Sequence, residues 1–341
     1  MYKRQLDANI GRGSQGKVYK IARREDIDDV FALKSFNCPV DRRREESFLK
    51  TVNHAGGHTH IVKPVRYITQ GIVLPFFPGG DLFDYVKNKG VLSEHKVAEW
   101  MAKISSAVAY LHRNDIAHMD LKLDNVLLDS KEEPHLSDFG LAFAIPSHGM
   151  SRLRSGTLDY RAPELAFEGW FRSRAADVWS LGICAYALCT GTFPGDEKAV
   201  LEVCAKVKDG SILANRHHHR AFTRDFLAIL DRCLQIKPEK RSSADEVCRL
   251  WQEFLDPTSH TAKENDTNDT SDPNDAPTAN LVKLSSLLVK ENDATATVKE
   301  FLDPTAHPAK ENDTSGPNKT PTAVLVKEND ATTTATAPST P

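Results

Sequence analysis

His118 to Asn125 reads HMDLKLDN, and thirteen residues beyond Asn125 stands Asp138, opening Asp138-Phe139-Gly140. Asp120 offers a carboxylate that can take a proton, and Lys122 a cation for an anionic group. Asn125 and Asp138 offer the oxygen donors that hard divalent ions prefer. A proton acceptor, a cation and two such donors are what the movement of a phosphoryl group demands, because the charge spread over its oxygens must be held and neutralised.

Groups so far apart in a chain act together only if flanking elements bring them together. GRGSQGKV, Gly11 to Val18, sits between two strand patterns, with glycines at Gly11, Gly13 and Gly16 and Ser14 among them. Without side chains there the backbone can close over phosphates, and Val18 offers an apolar surface to a base. A glycine-rich hairpin with no ligand reads the same way. FALK places Ala32 and Lys34 on the next strand, where Lys34 suits reaching an α/β-phosphate. DRRREESFLKTVNH follows as an amphipathic helix with Phe48, Leu49 and Val52 inward. The histidines in HAGGHTHIV, His54, His58 and His60, lack a cysteine or carboxylate to complete a metal set, so a surface loop is expected.

These segments together resemble the eukaryotic protein kinase family, over about residues 2 to 256. The resemblance implies an α+β, bilobal protein kinase fold: a small β-rich N-lobe, a larger helical C-lobe, and here a disordered tail after them. It implies ATP as phosphoryl donor and Mg2+ as cofactor, with Mn2+ as an alternative. Asp120 then accepts or orients the substrate hydroxyl proton, Lys122 neutralises the γ-phosphate, and Asn125 and Asp138 bind the metal. Each of these also reads as a turn or cap residue. On the same alignment Glu45 pairs with Lys34, with Glu46 the one-residue alternative. In IVLPFFPGGDLFDYV, Leu74 is the gatekeeper, and the backbone of Pro75 and Phe77 contacts the base. Pro75 lacks an N–H, but its position supplies only a carbonyl. Asp81 caps the next helix or meets ribose or a basic substrate, and Leu127 joins the ATP-binding set.

SGTLDYRAPE resembles the end of an activation segment, with Thr157 placed to bond Asp120 and Lys122. Asp177 braces the catalytic loop and Arg241 pairs with Glu164. Lys122 with Thr157 implies serine/threonine substrates, and GGDLFDYV and GTLDYRAPE resemble the calcium/calmodulin-dependent and AMP-activated branch. Asp81 and Asp124 imply a preference for basic residues upstream of the target. Met119 stands where many family members carry an arginine that binds an activation-segment phosphate. Methionine makes no such bond, so activity without that phosphate is expected. The competing reading is a weakened or pseudokinase-like scaffold acting through its tail; a small-molecule kinase fits the activation segment less well.

The 341 residues are 40% hydrophobic and 27% charged, with a net charge of -3, which suits a globular protein and gives no reason to expect nucleic acid as partner. No apolar run approaches a membrane span, and the start MYKRQLDANIGRG lacks the apolar core of a signal peptide. The cysteines at 38, 184, 189, 204, 233 and 248 show no paired spacing, so a reduced, cytoplasmic or nuclear protein is expected. Beyond Asp256 the chain turns rich in Thr, Asp, Asn, Pro, Ala and Lys and repeats itself: EFLDPTSHTAKENDT at Glu253 recurs as EFLDPTAHPAKENDT at Glu300. Residues 257–341 therefore read as a disordered, duplicated tail. It carries KEN at Lys263, Lys290, Lys310 and Lys327, resembling the degradation signal read by the anaphase-promoting ubiquitin ligase, with neutral repeat expansion as the other explanation. His217 to His219 are expected in an exposed loop or helix.

Overall fold

The computed structural model describes residues 2–13, 15–23, 29–194, 197–210 and 222–256. Ser14, His217 to His219 and all of 257–341, with its repeats and KEN motifs, lie outside those residues.

Apolar alternation builds the first layer. Strands β1 (Tyr2–Gly13), β2 (Gly16–Arg23), β3 (Val30–Phe36), β4 (Arg66–Ile68) and β5 (Gly71–Pro75) form an antiparallel sheet in the order β1-β2-β3-β5-β4. Register places Val18 opposite both Gly11 and Lys34, and Ala32 opposite Leu74. Because side chains alternate between faces, Lys34 shares the covered face of β3 with Ala32, and both are buried. Gly16 has a structural duty as well: a Cβ there would collide with the Ser35 carbonyl of β3.

Helix α1 (Pro39–His54) starts with proline at its first position, where φ is already helical and no N–H is missed. Its buried residues are Glu45, Leu49 and Val52, spaced i, i+4 and i+7 on one face. A carboxylate on that stripe demands a buried partner.

The loop after α1 corrects the surface-loop expectation. His54 is exposed, but His58 and His60 are half-buried tethers. His58 Nε2 bonds the Ser106 hydroxyl at 2.9 Å, and His60 Nδ1 bonds the Pro134 carbonyl at 2.9 Å. The sequence between them reads as polar loop because the partners lie some fifty to seventy residues away, at 48 and 74 positions of separation.

The second layer is mainly helical. Helix α2 (Leu82–Lys89) is capped by Asp81, whose Oδ1 accepts from Asp84 N at 2.8 Å, and α3 (Glu94–Arg113) is capped by Ser93. Short strands β6 (Ile116–Ala117), β7 (Val126–Leu128), β8 (Pro134–Leu136) and β9 (Phe143–Ala144) pair as β6-β9 and β7-β8 and frame the catalytic loop. Strand β10 (Met150–Ser151) pairs antiparallel with β11 (Phe171–Arg172). Then come α4 (Ser173–Thr190), α5 (Glu197–Asp209), α6 (Arg224–Cys233) and α7 (Ala244–Leu255). Helix α4 is apolar nearly all round and therefore lies inside the lobe, with Asp177 the charged residue on its buried surface. Trp100, Trp179 and Trp251, from α3, α4 and α7, are almost wholly buried, as are Phe139 and Phe226. Each large apolar side chain removed from water contributes about 1.5–3 kcal/mol to holding this core. The six cysteines are free thiols, and burial pushes that of Cys233 up to about 12.

Candidate active site

Strand β3, helix α1 and the Asp138 turn meet at one ammonium group. Lys34 Nζ donates to Glu45 Oε2 at 2.6 Å, to Glu45 Oε1 at 2.9 Å and to Asp138 Oδ1 at 2.8 Å. Glu46 instead faces Arg42, whose Nε lies 2.7 Å from it. Burial alone would lower the Lys34 pKa, but the charges of Glu45 and Asp138 override it and hold the amine protonated. Glu45 is pushed up to about 7 by burial, with Lys34 opposing that rise. Burial also acts to raise Asp138, and Lys34 outweighs it, leaving Asp138 below the usual carboxylate range.

Asp177 organises the catalytic loop from within α4. Its carboxylate accepts from His118 N at 2.9 Å, Met119 N at 2.8 Å and His112 Nε2 at 2.9 Å. His118 carries the order onward: Nε2 donates to the Ser137 carbonyl at 3.0 Å, next to Asp138, and Nδ1 accepts from Asp120 N at 3.3 Å. Met119 is held at a φ of 64°, a conformation that a residue without glycine's freedom adopts only under such constraint. Its side chain is 6% exposed and belongs to the apolar core.

Asp120, Lys122 and Thr157 form the second cluster. Asp120 Oδ1 accepts from Thr157 N at 3.0 Å and from Thr157 Oγ1 at 2.8 Å. Lys122 Nζ reaches Thr157 Oγ1 at 2.9 Å and Asp120 Oδ2 at 3.1 Å. Gly156 makes this approach possible: its φ is 103°, and a Cβ would lie 2.5 Å from the Met119 carbonyl oxygen. Tyr160 ties the same turn down, its hydroxyl accepting from Leu123 N at 3.3 Å and its carbonyl from Ser180 Oγ at 2.8 Å. At the far end, Arg241 grips Glu164 with two bonds of 2.6 and 2.7 Å and also donates to the carbonyls of Gln235, Ala175 and Ile236.

The donor set fits a divalent cation. Asn125 spends its amide nitrogen on the carbonyl of Asp120 at 2.7 Å and on its Oδ2 at 3.1 Å, leaving the amide oxygen as acceptor. Asp138 Oδ1 takes Lys34 and Gly140 N, leaving Oδ2. The amide and carboxylate oxygens are hard ligands of the kind Mg2+ takes alongside phosphate oxygens.

Of the nucleotide-side residues, Gly11, Val18, Ala32 and Leu74 lie on adjacent paired strands, with Gly13 at the tip of β1 and Pro75 closing β5. Asp81 is bridged to Leu127 on β7, so the segment after Phe77 is joined to the catalytic lobe. Three features of the surrounding structure escaped the sequence reading. Gln15, at the tip of the glycine loop, reaches down against Gly140. His118 lay inside the quoted motif without a role. Trp170 and the arginines around it gave no spacing signal at all.

A protein kinase domain model matches residues 4–251. Two serine/threonine protein kinases of rice, OSK3 and OSK4 from Oryza sativa subsp. indica, are each 33% identical over 254 residues, which is 71% of this chain and 48% of the relative. The chain spans about half the length of the curated relatives it matches. Members of the matched family use ATP with a divalent metal, generally Mg2+. With the paired sheet, the Lys34–Glu45–Asp138 contact and the Asp120 loop as its frame, this chain belongs to the protein kinase family.

Proposed function

We propose that the chain is a serine/threonine protein kinase that moves the γ-phosphoryl group of Mg-ATP onto serine and threonine hydroxyls of protein substrates. The observation that carries this reading is Thr157 bridging Asp120 and Lys122 while Lys34 joins Glu45 to Asp138. Asp120 orients the incoming hydroxyl and takes its proton. Lys122 and Lys34 set positive charge against the γ- and α/β-phosphates, with no rearrangement needed at the moment of transfer. A divalent ion bound at Asn125 and Asp138, Mg2+ or Mn2+, supplies further positive charge to the phosphate oxygens. The test is Mg2+-dependent transfer from ATP to a basic serine peptide. Asp138→Ala should abolish it, and equal residual rates in wild type and variant would end the proposal.

Finer features belong to the same reading. Burial raises the Asp81 carboxyl, and the nearby charges of Asp84 and Asp124 raise it further, so the acids beside the site form one negative field. That field supports selection of Arg or Lys upstream of the target hydroxyl and agrees with placement near the calcium/calmodulin-dependent and AMP-activated branch. A peptide library used equally well with acidic sequences would remove the preference. Met119, packed in the core where a phosphate-binding arginine would stand, supports activity without activation-segment phosphorylation. Beyond a kinase domain over 2–256, the four KEN copies support capture by the anaphase-promoting ubiquitin ligase. An unchanged half-life through mitotic exit after replacing all four by alanines would exclude it.

A further inference from the structure

The proposed phosphate independence leaves a physical question: what fastens the activation segment. A segment that gains no phosphate must find its closing contacts within the chain. The stretch leading to Gly156 carries three basic groups, His148, Arg152 and Arg154. All three turn to one short loop, 167–170. Arg154 donates to the Phe167 carbonyl and to the Gly169 carbonyl, the latter at 3.1 Å. The Arg152 guanidinium lies 4.5 Å from the centre of the Trp170 ring, and the His148 ring meets the same indole edge-on at 5.4 Å and 88°. Immediately beyond, Met150 pairs with Arg172 and Ser151 with Phe171. The strands and the indole form a neck, and the chain between its two sides holds Gly156, Thr157 and Glu164.

We propose that Trp170 is a positioning residue: gripped by Arg152 and His148, it closes this neck and holds Thr157 on Asp120 in the place of an activation-segment phosphate. The inference rests on the kinase reading above. Trp170 is 53% exposed, so it is not a core residue kept for burial. An exposed cation–aromatic contact is weak singly. Acting with the two-residue ladder and Arg154, it tips a loop whose open and closed states differ little in free energy.

The test uses the full chain after phosphatase treatment, with mass spectrometry showing the activation segment free of phosphate. For Trp170→Ala, kcat/KM for a serine peptide should fall about ten-fold, while ATP affinity and melting temperature stay near wild type. Tryptic cleavage after Arg154, a site that every variant keeps, should become faster. Trp170→Phe, which keeps an aromatic face, should recover most of the activity, and Arg152→Gln should lose activity in the same direction by a smaller factor. If Trp170→Ala fails to bind ATP, Arg152→Gln carries the test alone. Variants matching wild type in peptide turnover and cleavage would overturn the neck while leaving phosphate independence standing. Loss of activity in phosphatase-treated wild type would instead overturn phosphate independence, whatever Trp170 does.

Discussion

The catalytic loop and the activation segment meet at Asp120 and Thr157, yet they are held by opposite means. The loop is fixed from inside: Asp177, 1% exposed, takes three donors, and Met119 is buried beside it. The segment is fixed at its far end by the buried Glu164–Arg241 pair and at its near end by exposed contacts around Trp170. Buried charge gives an all-or-none anchor, because an orphaned partner is costly; exposed contacts give one that opens and closes. On the proposed function, a loop held this way is preset, and control would act on the segment.

Variants can break that contrast. The largest effect is expected for Arg241→Ala, which strands Glu164 without its partner and removes the donor that the carbonyls of Gln235, Ala175 and Ile236 share. A loss of about 3–5 kcal/mol in urea unfolding is expected. A change under 1 kcal/mol would show that the far anchor is not needed. Asp177→Asn keeps the shape but lacks one acceptor charge, and should cost about 1.5–3 kcal/mol. Peptide turnover should fall while ATP affinity stays, since Asp177 accepts from His112, His118 and Met119 on the catalytic-loop side. Gly156→Ala stores about 1–3 kcal/mol of strain at a positive φ, which local opening of the segment relieves. Peptide kcat should drop with the melting temperature nearly unchanged, and an unaltered kcat would refute the close approach.

The smallest effect concerns the tether in the loop after α1. His58 is lowered to about 4 from 6.5, chiefly by burial and then by the charges of His60 and Arg113. Between those values the unfolded chain binds a proton that the folded one does not. Stability from His58 is thus present above pH 6.5 and lost as pH falls toward 4. His58→Asn should shrink the fall in melting temperature between pH 7 and pH 5, and an unchanged fall would remove the tether from the account.

Much of this arrangement was legible because its chemistry sits in contiguous words of sequence. HMDLKLDN and Asp138-Phe139-Gly140 single out four groups, whose roles the resemblance to protein kinases implies, and the same alignment pairs Lys34 with Glu45 or Glu46, of which the structure buries Glu45 beside Lys34. The two-lobed α+β fold was implied by the resemblance that these motifs carry, and the kinase domain match bears it out. What stayed hidden depends on contacts without period. His58 and His60 looked like surface residues because Ser106 and Pro134 are distant in sequence. Trp170 looked like a stray surface aromatic because Arg152 and His148 reach it across a turn that no motif marks. Glu45 and Glu46 are neighbours in sequence, and only the burial of the first decides which meets Lys34.

The most direct test of a preset loop is the initial rate of Mg2+-dependent phosphoryl transfer to a basic serine peptide, measured before and after removal of every activation-segment phosphate. With the loop held by Asp177 and Met119 packed in the core, the two rates should agree within about two-fold, a difference of roughly 0.4 kcal/mol in barrier. A rate that collapses on dephosphorylation and returns on rephosphorylation would contradict the account.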